Sequence, residues 1–508
     1  MTDPFGGPTP EPPLSRRAAR ESVKAKPARP PKLDPTTGEP MPPSGISALI
    51  AKHPRVWLAT AIGVSFLLLG TGAVFAGVAV GGAGSANVAD PGSGEQEIPQ
   101  RDVPGEIPAA TRLRTCTVTD LATDPRLKTL QGEVLSSKTQ EVLWGRDADT
   151  PARPASAVKL LTAAAALNSL GADHRLSTAV YEGSAPGTVV LVGGGDATLN
   201  SRESGENVYA GAATLSQLAQ QVKDAWSGTH GEEPITGIVL DSTFWAPNDK
   251  WDATWSRSEQ TQGYLSEVTA LQVDGDRADP TRPVSPRSTD PVMRAGKAFA
   301  KALGVPDAAL TLGANTSGTR LGEVQSQPVS TLVNQMLLTS DGTLAEMLAR
   351  ATSVKMGLGG TSASLGQVIS GSLQPLGLDW SEVTIIDGSG FSAKNAVAPA
   401  FFAQFMALVL GGSNELNYVY NSLSEAGKTG TLANRFRGSS AVAREGVVGK
   451  TGKIATAHTL TGIITAKDGT VLTFAFYAIG EGITEDAKVA LDALVAGVFT
   501  CGDNLSNN

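Results

Sequence analysis

The sequence predicts an α+β fold: an antiparallel sheet with packed helices, an inserted α/β subdomain, and one N-terminal transmembrane helix. Three observations predict it. Strand pairs followed by a helix stand at both ends of the chain beyond residue 112, strand-like and helix-like pieces alternate between them, and Val56 to Val80 carries no charge.

Residues 1–55 are rich in Pro and charge and poor in large apolar side chains. Burial there cannot offset the entropy of ordering, so a disordered tail is expected. Residues 56–80, "VWLATAIGVSFLLLGTGAVFAGVAV", would span roughly 37 Å as a helix, more than the ~30 Å of a hydrocarbon core. Lys52 and Arg55 precede this segment; Asp90, Glu95 and Glu97 follow it, and the next basic residue is Arg101. The positive-inside rule then leaves the tail cytoplasmic and places the rest outside the cell membrane, on a single-pass anchor. A cleaved signal peptide has a shorter apolar region behind a shorter start, and a buried soluble helix would show a polar face. The uncleaved anchor is the preferred reading, with cleavage near "SANVAD" the alternative. Residues 81–112, rich in Gly, Pro and Glu, read as a linker.

"LQGEVLSS" and "QEVLWGR" alternate around Lys138-Thr139, which predicts a hairpin. "SAVKLLTAAAALNSL" follows Pro154 and ends at Gly171. It predicts a helix over 156–170 that is apolar nearly all round and hence buried. Near the other end, "HTLTGIITAKDGTVLTFAFYAI" reads as two strands joined at Asp468-Gly469. "TEDAKVALDALVAGVF" reads as a helix capped by Thr484. Residues 113–192 and 328–508 are thus assigned to one domain. Residues 193–327, with "TLSQLAQQVKDAW", "ITGIVLDSTFW" and "PVMRAGKAFAKALG", are assigned to an insertion.

The chain has 508 residues, 41% of them hydrophobic, enough for a large core. Its net charge of -8 gives no basic footprint for nucleic acid. Four histidines and two cysteines, without HExxH or CxxC spacing, point to no metal site, and no cofactor motif is present. In an oxidising compartment Cys116 and Cys501 are expected to form a disulfide. A loop that long adds about 4–5 kcal/mol in the chain-entropy model. The alternative is two buried thiols.

A serine hydroxyl needs a base to become a nucleophile. Ser156 and Lys159 stand at i and i+3 at the start of a buried helix. Burial lowers a lysine's pKa and makes it usable as that base. Lys-Thr-Gly occurs twice, 22 residues apart. Lys450-Thr451-Gly452 lies in a strand-like run before a hairpin, whereas Lys428-Thr429-Gly430 runs into "TLANRF" and reads as a loop. Asp387-Gly388-Ser389-Gly390 lacks the frame of a nucleophile elbow and reads as a turn near the site. Asp196 is expected to fix a tight turn in "GGGDATL". His458 and His174 read as a strand-end and a loop residue rather than bases.

Ser156-x-x-Lys159, "GGGDATL", "DGSGFS", "GTLANRF" and Lys450-Thr451-Gly452 come in one order. That order resembles the class C low-molecular-mass penicillin-binding proteins, the D-alanyl-D-alanine carboxypeptidase/endopeptidases of peptidase family S13. Each motif alone is weak; five in order, from Cys116 to Val498, are specific. The resemblance implies a penicillin-binding transpeptidase and serine β-lactamase-like fold. It implies peptidoglycan stem peptides as substrates, β-lactams as covalent inhibitors, and no cofactor. Ser156 would form the acyl-enzyme, with Lys159 as its base. Lys450, Thr451 and Gly452 would border the substrate carboxylate, and the Ser156 and Lys453 backbone N–H groups would form the oxyanion hole. Members usually carry Thr or Ser where Lys453 stands.

One motif departs. The family's Ser-x-Asn, with its serine relaying protons and its asparagine bonding the substrate amide, matches Ser340-Asp341-Gly342. Losing that asparagine removes a transition-state contact of roughly 10²-fold. A water is expected to fill the space at Gly342; labelling by penicillin without D-Ala release would place the lesion at Gly342 and Lys453, and Gly342→Asn is then expected to restore turnover. The same departure supports the alternative of a cell-wall binding or scaffolding homologue with impaired catalysis.

Overall fold

The computed structural model describes residues 113–413 and 415–507. The expected tail, transmembrane anchor and linker lie outside the described residues. Among the described residues, no helix is long and apolar enough to cross a membrane.

Strands β1 (Thr129–Ser136) and β2 (Val142–Arg146) form the predicted antiparallel pair, and helix α1 (Val158–Leu170) follows. Strands β3 (Ser177–Glu182), β4 (Thr188–Gly193), β5 (Gly237–Asp241), β6 (Ala309–Leu312) and β7 (Arg320–Gln325) form a second, separate sheet. Helices α2 (Leu215–His230) and α3 (Pro291–Leu303) belong to the same region. Helices α4 (Val329–Thr339), α5 (Gly342–Lys355) and α6 (Pro399–Gly411) return the chain to the first sheet. That sheet is completed by β8 (Ser424–Glu425), β9 (Val447–Ile454), β10 (Ala457–Thr465) and β11 (Val471–Ile479), before the last helix, α7 (Asp486–Cys501).

The first sheet is antiparallel throughout, in the order β2-β1-β11-β10-β9-β8. Its period-2 alternation feeds two cores. On β11, Leu472, Phe474, Phe476 and Ala478 face a core shared with Leu491, Leu494 and Val498 of α7. Ala475 and Tyr477 face the opposite core, shared with α1, α4, α5 and α6. Helix α1 is buried through its first ten residues because neighbours cover every side, which its unbroken Ala/Leu composition permits. Truncating a core phenylalanine such as Phe474 would cost about 3–5 kcal/mol.

The second sheet, in the order β6-β5-β4-β3-β7, mixes parallel and antiparallel pairs. It begins at Ser177, not at the boundary drawn at 193. "STAVYE" and "TVVLVG" pair as a hairpin, and β4 continues in parallel into β5. Hydrogen bonding thus assigns β3 and β4 to the insertion. Helix α2 starts with a capping box at Thr214 and Gln217. Helix α7 corrects a second expectation: Glu485 is its N-cap, no side chain caps it, and Thr484 contributes only its carbonyl, to Ala487 N–H.

Cys116 and Cys501 are joined in a disulfide, 385 residues apart in sequence. Backbone hydrogen bonds from Cys116 N–H to Asn504 O (3.1 Å) and from Ser506 N–H to Cys116 O (2.8 Å) flank it.

Candidate active site

Ser156 sits in a single 3-10 turn, Ala155–Ala157, that leads into α1. Ala155 before it holds φ +47°, a left-handed conformation that non-glycine residues rarely adopt. Two close approaches fix this turn. Thr459 Oγ1 of β10 donates to Pro154 O (2.9 Å). Gly452 of β9 packs so tightly that a Cβ there would lie 2.9 Å from Pro154 O and 3.0 Å from Ala155 Cβ. The i, i+3 spacing does what the sequence promised: Lys159 Nζ donates to Ser156 Oγ at 2.9 Å.

Lys159 is fully buried and also donates to the Ser389 carbonyl (2.5 Å). Burial pushes its pKa down to about 8, against the opposing pull of Asp387, Glu346 and Asp341. The carbonyl comes from the Asp387-Gly388-Ser389-Gly390 turn. Asp387 organises that turn by accepting from Gly390 N, Ser392 N and Trp255 Nε1, each at 2.7 Å. It is a structural turn beside the site, as read from sequence. Glu346 of α5 is buried as well. Burial first, and Asp387 second, raise its pKa to about 8; the Ser389 hydroxyl beside it counters part of that rise, though neither carboxyl oxygen makes a well-formed hydrogen bond.

The second lysine arrives from β9. Lys450 is fully buried, and its Nζ donates to Ser340 Oγ (2.8 Å) and to its neighbour's carbonyl, Thr451 O (2.7 Å). Burial, followed by the nearby charge of Lys159, lowers its pKa well below the ordinary lysine value. Ser340 ends α4 in a left-handed conformation, φ +58°. Its neighbour Asp341 caps α5 by accepting from Leu344 N (3.0 Å) and also accepts from Arg277 Nη2 (2.7 Å) and Tyr209 OH (2.8 Å). Burial alone would raise the Asp341 pKa, but Arg277 and Arg287 beside it hold it well below the usual carboxylate range. The insertion thus clamps the loop that carries Ser340.

Thr451 Oγ1 donates to Thr431 Oγ1 (2.8 Å), which belongs to "GTLANRF". Lys453 is exposed at the mouth and ion-paired with Glu485. His458 lies opposite Lys453 in the β9–β10 register. Its pKa is pushed down to about 4 by burial, so it is neutral. His174 lies in the loop after α1, and Asp196 fixes its turn by accepting from Thr198 N (2.7 Å).

The structure brings together Ser156, Lys159, Ser340, Lys450, Thr451 and Gly452, with Lys453 at the rim. Sequence reasoning missed the Ser389 carbonyl, Thr431 and Phe391. Phe391 overturns one expectation outright. A Cβ on Gly342 would lie 2.4 Å from Phe391 Cε2. The space at Gly342 is occupied by a ring and leaves no room for a water. Among the described residues, no acidic, cysteine or histidine cluster could hold a metal ion.

Known proteins resemble this chain. The sequence profile of the D-Ala-D-Ala carboxypeptidase 3 (S13) family matches residues 115–282 and 276–498. Carboxypeptidase DacB of Mycolicibacterium smegmatis is 34% identical over 411 residues, covering 79% of this chain and 87% of that protein. The D-alanyl-D-alanine carboxypeptidase of Actinomadura sp. is 28% identical over 437 residues, covering 72% and 79% respectively. The crystal structure of penicillin binding protein 4 (dacB) from Haemophilus influenzae shares the fold. Its TM-score is 0.61 at 17% identity, over 75% of this chain and 97% of that one.

Proposed function

The chain belongs to the D-Ala-D-Ala carboxypeptidase 3 (S13) family, and from that premise we propose that it is a serine D,D-carboxypeptidase/endopeptidase acting on peptidoglycan stem peptides. The observation that carries the reading is the 2.9 Å contact between Lys159 Nζ and Ser156 Oγ, with Lys450 bonded to Ser340 beside them. Neutral Lys159 takes the Ser156 proton, and Oγ attacks the carbonyl carbon between the two D-Ala residues. The Ser156 and Lys453 backbone N–H groups hold the oxyanion. As the C–N bond breaks, Ser340 passes its proton to the departing D-Ala amine and takes one from protonated Lys450, to which it is hydrogen-bonded. Water then cleaves the ester: Lys450 takes the water's proton, and Lys159 returns to Ser156 Oγ the proton it removed. Thr451 and Lys450 receive the terminal carboxylate. β-Lactams stop the cycle at the acyl-enzyme.

Residues 56–80 are proposed to anchor the enzyme in the cell membrane, with the N-terminus cytoplasmic and the catalytic domain outside. Their uncharged length and the Lys52/Arg55 flank support this. Protease accessibility on intact cells tests it; a catalytic domain protected until lysis would reject it.

The enzyme is tested by labelling residues 112–508 with a fluorescent penicillin, beside Ser156→Ala, and by D-Ala release from a pentapeptide. Ser156-dependent labelling with release is expected. A folded protein that does neither is the scaffold that Gly342 otherwise favours. Labelling without release places the defect in deacylation.

A further inference from the structure

Gly342 stands in the first turn of α5 with an ordinary helical backbone, outside the positive-φ glycines. Its conformation therefore does not demand glycine; its surroundings do. A Cβ would meet Phe391 Cε2 at 2.4 Å, Phe391 Cδ2 at 3.2 Å and Leu265 Cδ1 at 3.4 Å. The first distance is far inside van der Waals contact, so any side chain at 342 competes with the ring. The ring itself is poorly free to leave. The residues on either side of Phe391, Gly390 and Ser392, each donate a backbone N–H to Asp387 at 2.7 Å. The ring packs against the cluster of Trp245, Trp255, Leu265 and Met347. Lys159 Nζ stands 5.3 Å from its centroid, within the range of a cation–π contact. Phe391 therefore lies between the start of α5 and the catalytic amine, and it is only partly buried.

We propose that Phe391 is a specificity-determining residue of this cleft, holding the position that an amide side chain at 342 would occupy and presenting an aromatic face to the substrate there. The inference rests on the catalytic reading above. A ring face offers an acyl donor neither the N–H nor the C=O of an amide side chain. Substrate and inhibitor are then held at this point by apolar contact, and the backbone amide of the acyl donor is read weakly.

The test is a ratio of acylation rates: benzylpenicillin, which carries an acylamino side chain, against a penam sulfone with no substituent at that carbon. The native chain is expected to discriminate less than about ten-fold, the worth of one hydrogen bond. Gly342→Asn alone is expected to acylate about ten-fold more slowly with both compounds, because amide and ring collide. Gly342→Asn with Phe391→Ala is expected to recover benzylpenicillin acylation and raise the ratio at least ten-fold. Should Phe391→Ala fail to fold, Phe391→Leu, which removes the ring edge and keeps apolar volume, replaces it. Melting temperatures supply a second readout: Gly342→Ala lowers the native Tm but not that of the Phe391 variant. Gly342→Asn acylating at the native rate, a ratio unmoved in the double variant, or equal Tm losses in both backgrounds would overturn the proposal. A native chain acylated by neither compound overturns the catalytic reading itself, which separates the two failures.

Discussion

The two Lys-Thr-Gly copies make a controlled comparison, because one tripeptide sits in two environments. Lys450 is fully buried on β9 and bonded to Ser340, with Thr461 opposite it in register. Lys428 lies in a turn, its side chain 57% exposed and paired with Glu425 at 3.2 Å. Thr451 turns its hydroxyl to Thr431, whereas Thr429 accepts from the Glu425 N–H (2.9 Å) and serves only its own turn. The chemistry thus belongs to the strand and the buried pair of amines, and the letters alone carry none of it. The first copy still contributes indirectly. Gly430 opens the 3-10 turn that delivers Thr431 to its twin.

The largest expected contrast is in charge removal. Lys450→Ala should slow penicillin acylation by about 10²–10³-fold, while Lys428→Ala, which breaks a surface pair worth about 0–1 kcal/mol, should stay near the native rate. Equal losses measured by stopped-flow labelling would break the comparison. Next come the glycines. Gly452→Ala places a Cβ 2.2 Å from Thr459 Oγ1 and 2.9 Å from Pro154 O, so β9 must retreat from the nucleophile turn, and acylation should fall about ten-fold or more, in line with the sensitivity of catalysis to small displacements. Gly430→Ala, at φ +54° and with a Cβ 2.2 Å from Ser424 Oγ and 2.8 Å from Leu338 O, should act on stability instead, costing more than the about 1–2 kcal/mol of the left-handed conformation alone, read as a lower Tm with Ser156 still reactive.

Thr431→Val tests the indirect link. Losing one hydrogen bond costs about 0.5–1.5 kcal/mol, which should appear as a several-fold higher KM with kcat little changed. The smallest effect is a shift in pH profile. Lys159 must be neutral to accept a proton, and its pKa is about 8, so acylation should rise with pH through that region. The nearby carboxylate of Glu346 raises the Lys159 pKa; Glu346→Gln should therefore move the rising limb to lower pH. Because the two amines and Glu346 interact, the limb reports their joint titration. A limb that moves upward would contradict the assignment.

Ser156 and Lys159 were legible because their contact is local: three residues on one helix start. The choice between the two copies was legible because a hairpin signal follows only the second. What stayed hidden was long-range. Ser389 reaches Lys159 across 230 positions and Arg277 reaches Asp341 across 64, and no local period announces either. The place of β3 and β4 in the second sheet depended on β5, far along the chain, and the boundary at 193 missed it. Gly342 read as a loss because only its neighbour in space explains it.

The disulfide between Cys116 and Cys501 has a mechanical meaning. Tension applied between the residues before Cys116 and those after Cys501 passes through a covalent bond at the end of α7, not through the hydrogen bonds of β1. Everything from Thr117 to Thr500 lies within that closed ring and is shunted out of the load path.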